Sequence, residues 1–228
     1  MDLNTDKNQL LSNTVEEQII AMIHAKGMKP GDKLANEYEL AKLLQVGRGT
    51  VREAIKSLVS KNILVVRQGS GTFVSPRQGV PSDPLGLAFA KKDKSLALDL
   101  LEVRLILEPE IAAIAAVRAT DEDVQRLEFQ CAKVEKLIQE KKPYHQQDVL
   151  FHQYIAQGSQ NQVVNTLVPV IYSSTSLNID LTHNGLLKNT LQYHRQLVDT
   201  IRHHDPQGAR YAMICHLAEN RRNIAEKC

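Results

Sequence analysis

Between Leu34 and Val74 two helical stripes and a glycine-centred hairpin follow one another with almost no spare residues, and few folds accept that succession. Asn36 to Leu44 (NEYELAKLL) reads as a short helix with Leu40, Leu43 and Leu44 facing inward. Val46-Gly47 makes the turn. Arg48 to Ser60 carries Val51, Ala54, Ile55, Leu58 and Val59 at helical spacing, which leaves Arg48, Gly49, Arg52, Glu53 and Lys56 for solvent. Ile63 to Arg67 and Thr72 to Val74 are β-rich runs around Gln68-Gly69-Ser70-Gly71, a hairpin or wing. The whole spells a winged helix-turn-helix. A helix of this size fits the major groove, and Arg is well suited to bidentate contact with guanine.

The run Pro30-Gly31-Asp32-Lys33-Leu34, then Glu37, Leu40-Ala41, Val46 to Ala54 and Gln68 to Val74 resembles the GntR family of bacterial transcription regulators, over about a third of the chain. The resemblance implies that Arg48, Thr50 and Arg52 contact bases or phosphates and that Gly69 at the wing tip enters the minor groove. Lys56 and Tyr38 are expected on the same DNA-facing side. Two positions depart from the family pattern. Gly47 stands where Ser or Thr usually caps the helix, a loss of about a few tenths of a kcal/mol. Tyr38 stands where an Arg often follows the Glu.

At 228 residues the chain suits two domains. Its net charge of +2 hides an asymmetry: Lys33 to Arg77 carries +5, and Gln78 to Cys228 carries −1. A basic module beside a near-neutral body fits a nucleic-acid binder with a separate second domain. The three cysteines, Cys131, Cys215 and Cys228, are odd in number and lack CxxC spacing, which predicts reduced thiols. With no signal-peptide layout at the N-terminus and no unbroken apolar run of bilayer length, a cytoplasmic protein is expected.

The expected organisation is a winged helix-turn-helix over 1–76, a linker over 77–84 and an all-helical domain of six to seven helices over 85–228. Ser75 to Pro84 holds three Pro and one Gly, as a linker does. Helices are predicted over Leu85–Lys91, Lys94–Arg118, Asp121–Lys141, Gln146–Gln157, Asn161–Ser173 and Thr190–His203, and from Asp205-Pro206 to about Lys227. This half resembles the FCD domain, the all-helical ligand-binding domain that often accompanies the GntR module. The matching residues are Arg104 with Leu107-Glu108-Pro109, Asp148 with Phe151-His152, His194-Arg195 and His216-Leu217.

Four polar side chains sit on stripes that should be buried. Asp148 and His152 share a helical face with Ile155. His194 aligns with Leu191, Leu197, Val198 and Ile201, and His216 with Ala209, Ala212 and Met213. Buried polar groups need partners. Convergence on one divalent metal would satisfy all four, and three neutral imidazoles with a carboxylate suit zinc foremost, or nickel, iron or manganese. Any one buried His is more often a satisfied core residue; three with an Asp in register favour the metal. His24, His145, His183, His203 and His204 read as surface residues. Arg104, on a stripe with Leu100, Leu107 and Ile111, needs an anion, and beside a metal it makes a pocket for a carboxylate. Asn220 would add a hydrogen bond to such an effector. The FCD resemblance implies the same metal ligands and the same use of Arg104. Together these features predict a homodimeric, metabolite-responsive regulator, a repressor by preference, on a palindromic operator. A metal-dependent enzyme and a pure metal sensor, each joined to a DNA-binding module, are the alternatives.

Overall fold

The apolar residues gather into two separate cores, one in each of two units, Met1–Pro84 and Leu85–Cys228, in a computed structural model. It describes residues 3–77, 79–81, 83–87, 89–91, 93–175 and 187–226.

In the first unit α1 (Leu3–Ala25) buries Val15, Ile19 and Ile23 against α3 (Arg48–Ser60), which contributes Val51, Ala54, Ile55 and Leu58. Between them α2 (Glu37–Leu44) opens with a capping box. The Asn36 side chain accepts from the Tyr38 and Glu39 amides, and Glu39 accepts from the Asn36 amide. Gln45, in the left-handed region at φ 56, ends α2, and Gly47 starts α3 without a side-chain cap. Leu40 is buried as its spacing predicts, but Leu43 is 61% exposed. The helix is only eight residues long, and its buried residues are Leu40 and Ala41. Strands β1 (Leu64–Arg67) and β2 (Gly71–Val74) pair antiparallel, Leu64 with Val74 and Arg67 with Gly71. The Ser70 amide closes the turn onto the Arg67 carbonyl, with Gly69 at φ 72 supplying the left-handed residue it needs.

The second unit contains α4 (Lys94–Arg118), α5 (Asp121–Gln139), α6 (His145–Gly158), α7 (Gln162–Thr175), α8 (Leu187–Arg202) and α9 (Pro206–Glu226). Among the described residues it holds no strand. Asp93 caps α4, and Thr120 with Asp123 forms a capping box on α5. The expected helix over Leu85–Lys91 is absent: the described residues there are turns and bends. Gly86 takes φ +66, which breaks a right-handed helix one residue after it would start.

α4 runs against α9, its buried Ala112, Ala115 and Ala116 allowing close approach. Their outer edges are tied by Arg210, whose Nε and Nη2 donate to Glu110 at 2.6 and 2.8 Å. Phe151 and Leu197, fully buried, join α6 and α8 to the same core; burying side chains of this size contributes roughly 1.5–3 kcal/mol each. His152, His194 and His216 lie inside this core because their helices present Phe151, Leu197 and Met213 from neighbouring positions. No helix among the described residues is long and apolar enough to cross a membrane.

Candidate functional site

On α3, Arg48, Arg52 and Lys56 stand at four-residue intervals and are all exposed, on the side away from the buried stripe. Thr50 is half-buried, Tyr38 on α2 is 66% exposed, and Gly69 is exposed at the tip of the hairpin. Arg52 is held by a partner that sequence reading left out: its Nε and Nη2 lie 3.2 and 2.9 Å from Glu37 Oε2. This bidentate contact keeps the Glu37 carboxyl below its usual range. On the wing, the Arg67 guanidinium lies 4.5 Å from the centre of the Phe73 ring.

In the second unit α6 contributes Asp148 and His152, α8 contributes His194 and α9 contributes His216. All three imidazoles are buried, and they offer ligand nitrogens within 4.8 Å of one another. His152 Nε2 and His216 Nε2 are 3.2 Å apart. Asp148 Oδ1 lies 3.3 Å from His194 Nε2, and among the described residues no hydrogen bond satisfies either atom. Two ligands of one ion at about 2.0–2.1 Å sit about 3.3 Å apart at the tetrahedral angle. The separations, the unpaired polar atoms and the donor chemistry therefore fit one divalent metal. Burial pushes the His194 imidazole down to about 4, more strongly than nearby Asp148 lifts it, and it holds His216 well below the usual range. At neutral pH both rings are uncharged, the form that ligates. Phe151 stacks on the His194 ring, centroids 4.2 Å apart, and fixes its plane.

Arg104 reaches this centre already paired. Its Nε donates to Glu108 Oε1 at 2.6 Å and its Nη2 to the Tyr172 hydroxyl. Tyr172 lies 3.1 Å from both Glu108 oxygens. The other Glu108 oxygen, Oε2, lies 2.7 Å from His152 Nδ1, at hydrogen-bond distance with bent geometry. Burial opposes ionisation of Glu108, but Arg104 and His152 outweigh it and hold the carboxyl at about 2. So the anion that Arg104 requires is, in this structure, a residue of its own helix one turn on. The i, i+4 spacing of Arg104 and Glu108 on an apolar stripe was the sequence signal for it.

Asn220 Nδ2 lies 3.4 Å from His216 Nε2, at the edge of the cluster. His145, predicted on the surface, is half-buried, with Nε2 shielded from solvent. It opens α6 three residues before Asp148. His24, His203 and His204 are exposed, and His183 lies outside the described residues.

Residues 11–74 match the model for bacterial regulatory proteins of the gntR family, and residues 99–219 match the FCD domain. The chain is 29% identical to the galactonate operon transcriptional repressor of Escherichia coli (strain K12), covering 98% of this chain and 99% of that protein. It is 32% identical, over 91% of its length and 84% of the other, to an E. coli protein provisionally named the L-lactate dehydrogenase operon regulatory protein. Among solved structures, Streptococcus agalactiae GntR superposes with a TM-score of 0.84 at 39% identity, covering 92% of this chain and 99% of that one. These proteins are regulators by name, and the metal-dependent enzyme reading falls with them.

Proposed function

From the premise that this chain belongs to the gntR family of bacterial transcription regulators and carries an FCD domain, we propose that it is a metabolite-responsive regulator, its second unit binding a divalent metal and a small carboxylate. Asp148, His152, His194 and His216 hold the ion, zinc foremost, and Arg104 and Asn220 line the carboxylate's approach. Once bound, the ion supplies an electrophilic point for a carboxylate or hydroxyl oxygen. The observation that carries this reading is the buried convergence of three imidazoles from three helices, with Asp148 Oδ1 unsatisfied 3.3 Å from His194 Nε2. Relatives named for a galactonate operon and an L-lactate dehydrogenase operon support a small hydroxy acid as the effector class.

In the first unit Arg48, Thr50, Arg52 and Lys56 enter the major groove, Tyr38 flanks them, and Gly69 brings the wing to the minor groove. Glu37 keeps the Arg52 guanidinium extended in one plane until a base or phosphate takes it over. The chain acts as a homodimer on a palindromic operator, and the acid releases repression by binding one arrangement of the second unit better than the other.

The test is operator binding by fluorescence anisotropy against a panel of hydroxy acids, before and after chelation. A hydroxy acid should weaken binding only in the metal-loaded protein. Operator affinity indifferent to every acid and to chelation would remove the proposal. Binding that tracks metal alone would establish a metal sensor instead.

A further inference from the structure

Among the described residues, His152 is the one ligand of the proposed centre whose second nitrogen lies against an ion-paired carboxylate, that of Glu108. We infer that Glu108 is a positioning residue for the metal site: it fixes His152 as the Nδ1–H tautomer and so turns the Nε2 lone pair toward His194 and His216. This inference rests on the reading of the cluster as a metal centre. Glu108 is buried, and its Oε1 accepts from Arg104 at 2.6 Å and from the Tyr172 hydroxyl at 3.1 Å. Held by a guanidinium, it is a carboxylate and accepts hydrogen bonds only. His152 Nδ1 lies 2.7 Å from Oε2, off the line of a regular hydrogen bond, and at that distance a proton on Nδ1 is favoured over a second lone pair facing the carboxylate. In a neutral imidazole the proton on Nδ1 leaves Nε2 bare, and Nε2 is the atom 3.2 Å from its counterpart on His216. Metal-bound histidines are oriented by such carboxylates, whose loss typically weakens metal binding 10–100-fold.

Arg104 acquires a second part through the same residue. Its guanidinium holds one oxygen of Glu108, while His152 Nδ1 lies against the other. Arg104 and the proposed metal ligand His152 are therefore linked through a single side chain.

The experiment uses the full chain with ¹⁵N-labelled histidine. Two-bond ¹H–¹⁵N spectra of the rings read the His152 tautomer with and without Zn²⁺, and competition with a chromophoric chelator reads Zn²⁺ affinity. Wild type should show Nδ1–H at His152 in both states. Glu108→Gln should bind Zn²⁺ about 10–100-fold more weakly and lose the single tautomer. The charge-balanced Arg104→Gln/Glu108→Gln chain should show the same two changes, so that a stranded Arg104 is not their source. Tyr172→Phe removes another contact to the same carboxylate and should keep the tautomer, with affinity within about threefold of wild type. An Nε2–H tautomer in wild type overturns the inference, as does Glu108→Gln binding Zn²⁺ as tightly as wild type. A wild-type chain that takes up no divalent ion overturns the metal centre and the inference together.

Discussion

Each unit pairs an arginine with a glutamate, and the two pairs differ in almost everything that sets their energy. Arg52 and Glu37 come from different helices, and the Arg52 side chain is 52% exposed. Such a pair is weak in water and exchanges readily for another anion, as the DNA contact proposed for Arg52 requires. Arg104 and Glu108 share one helix, with side chains 9% and 5% exposed, and the carboxylate also reaches Tyr172 and His152. A pair inside a core is costly to separate, because each charge left alone has lost its water. The contrast teaches that the same ion pair is a release catch at the surface and a structural tie in the interior.

The largest effect should come from breaking the tie. Arg104→Ala is expected to destabilise the Leu85–Cys228 unit by roughly 3–5 kcal/mol, read from urea unfolding followed by circular dichroism. A loss under about 1 kcal/mol would erase the distinction between the two pairs. Next comes the ion: zinc at a thousandfold excess over its dissociation constant should stabilise that unit by about 4 kcal/mol in thermal scans. Chelator should reverse the gain, and His194→Ala should abolish it, while Arg52→Ala leaves it in place.

At the surface pair the effect moves from stability to recognition. Arg52→Ala should weaken operator binding by about 1–3 kcal/mol and relax preference at one base pair, with little effect on the unfolding midpoint. An equal loss on random DNA would reassign Arg52 to a phosphate. Smallest is Gly47→Ser, which restores a side-chain cap to α3 and should add about a few tenths of a kcal/mol. A Cβ there meets only Thr50 Oγ1, at 3.9 Å, so no steric loss offsets the gain.

The surface chemistry was readable along the chain because half-buried helices write their exposed face into the sequence at fixed intervals. Arg48, Arg52 and Lys56 follow from the stripe beneath them, and Gly69 follows from a turn that needs a left-handed residue. The interior was readable in part. His152, His194 and His216 stood out because a polar residue on an apolar stripe is conspicuous. Glu108 did not, because it precedes Pro109 within a motif and its partners Tyr172 and His152 lie 64 and 44 residues further along. Glu37 was missed for a related reason: helical spacing shows which way Arg52 points and says nothing of the side chain fifteen positions earlier that meets it. The helix expected over Leu85–Lys91 had apolar content but no cap, and Gly86 decided against it.

Glu108 answers to three neighbours at once, and that has an evolutionary cost. Under the proposed function, a substitution that retunes Arg104 for a differently shaped acid would also disturb the imidazole that lies against the other carboxylate oxygen. Effects at Arg104, Glu108, His152 and Tyr172 should therefore combine non-additively. New effector preferences would then arise by changing residues around this quartet, while its members are inherited as a block.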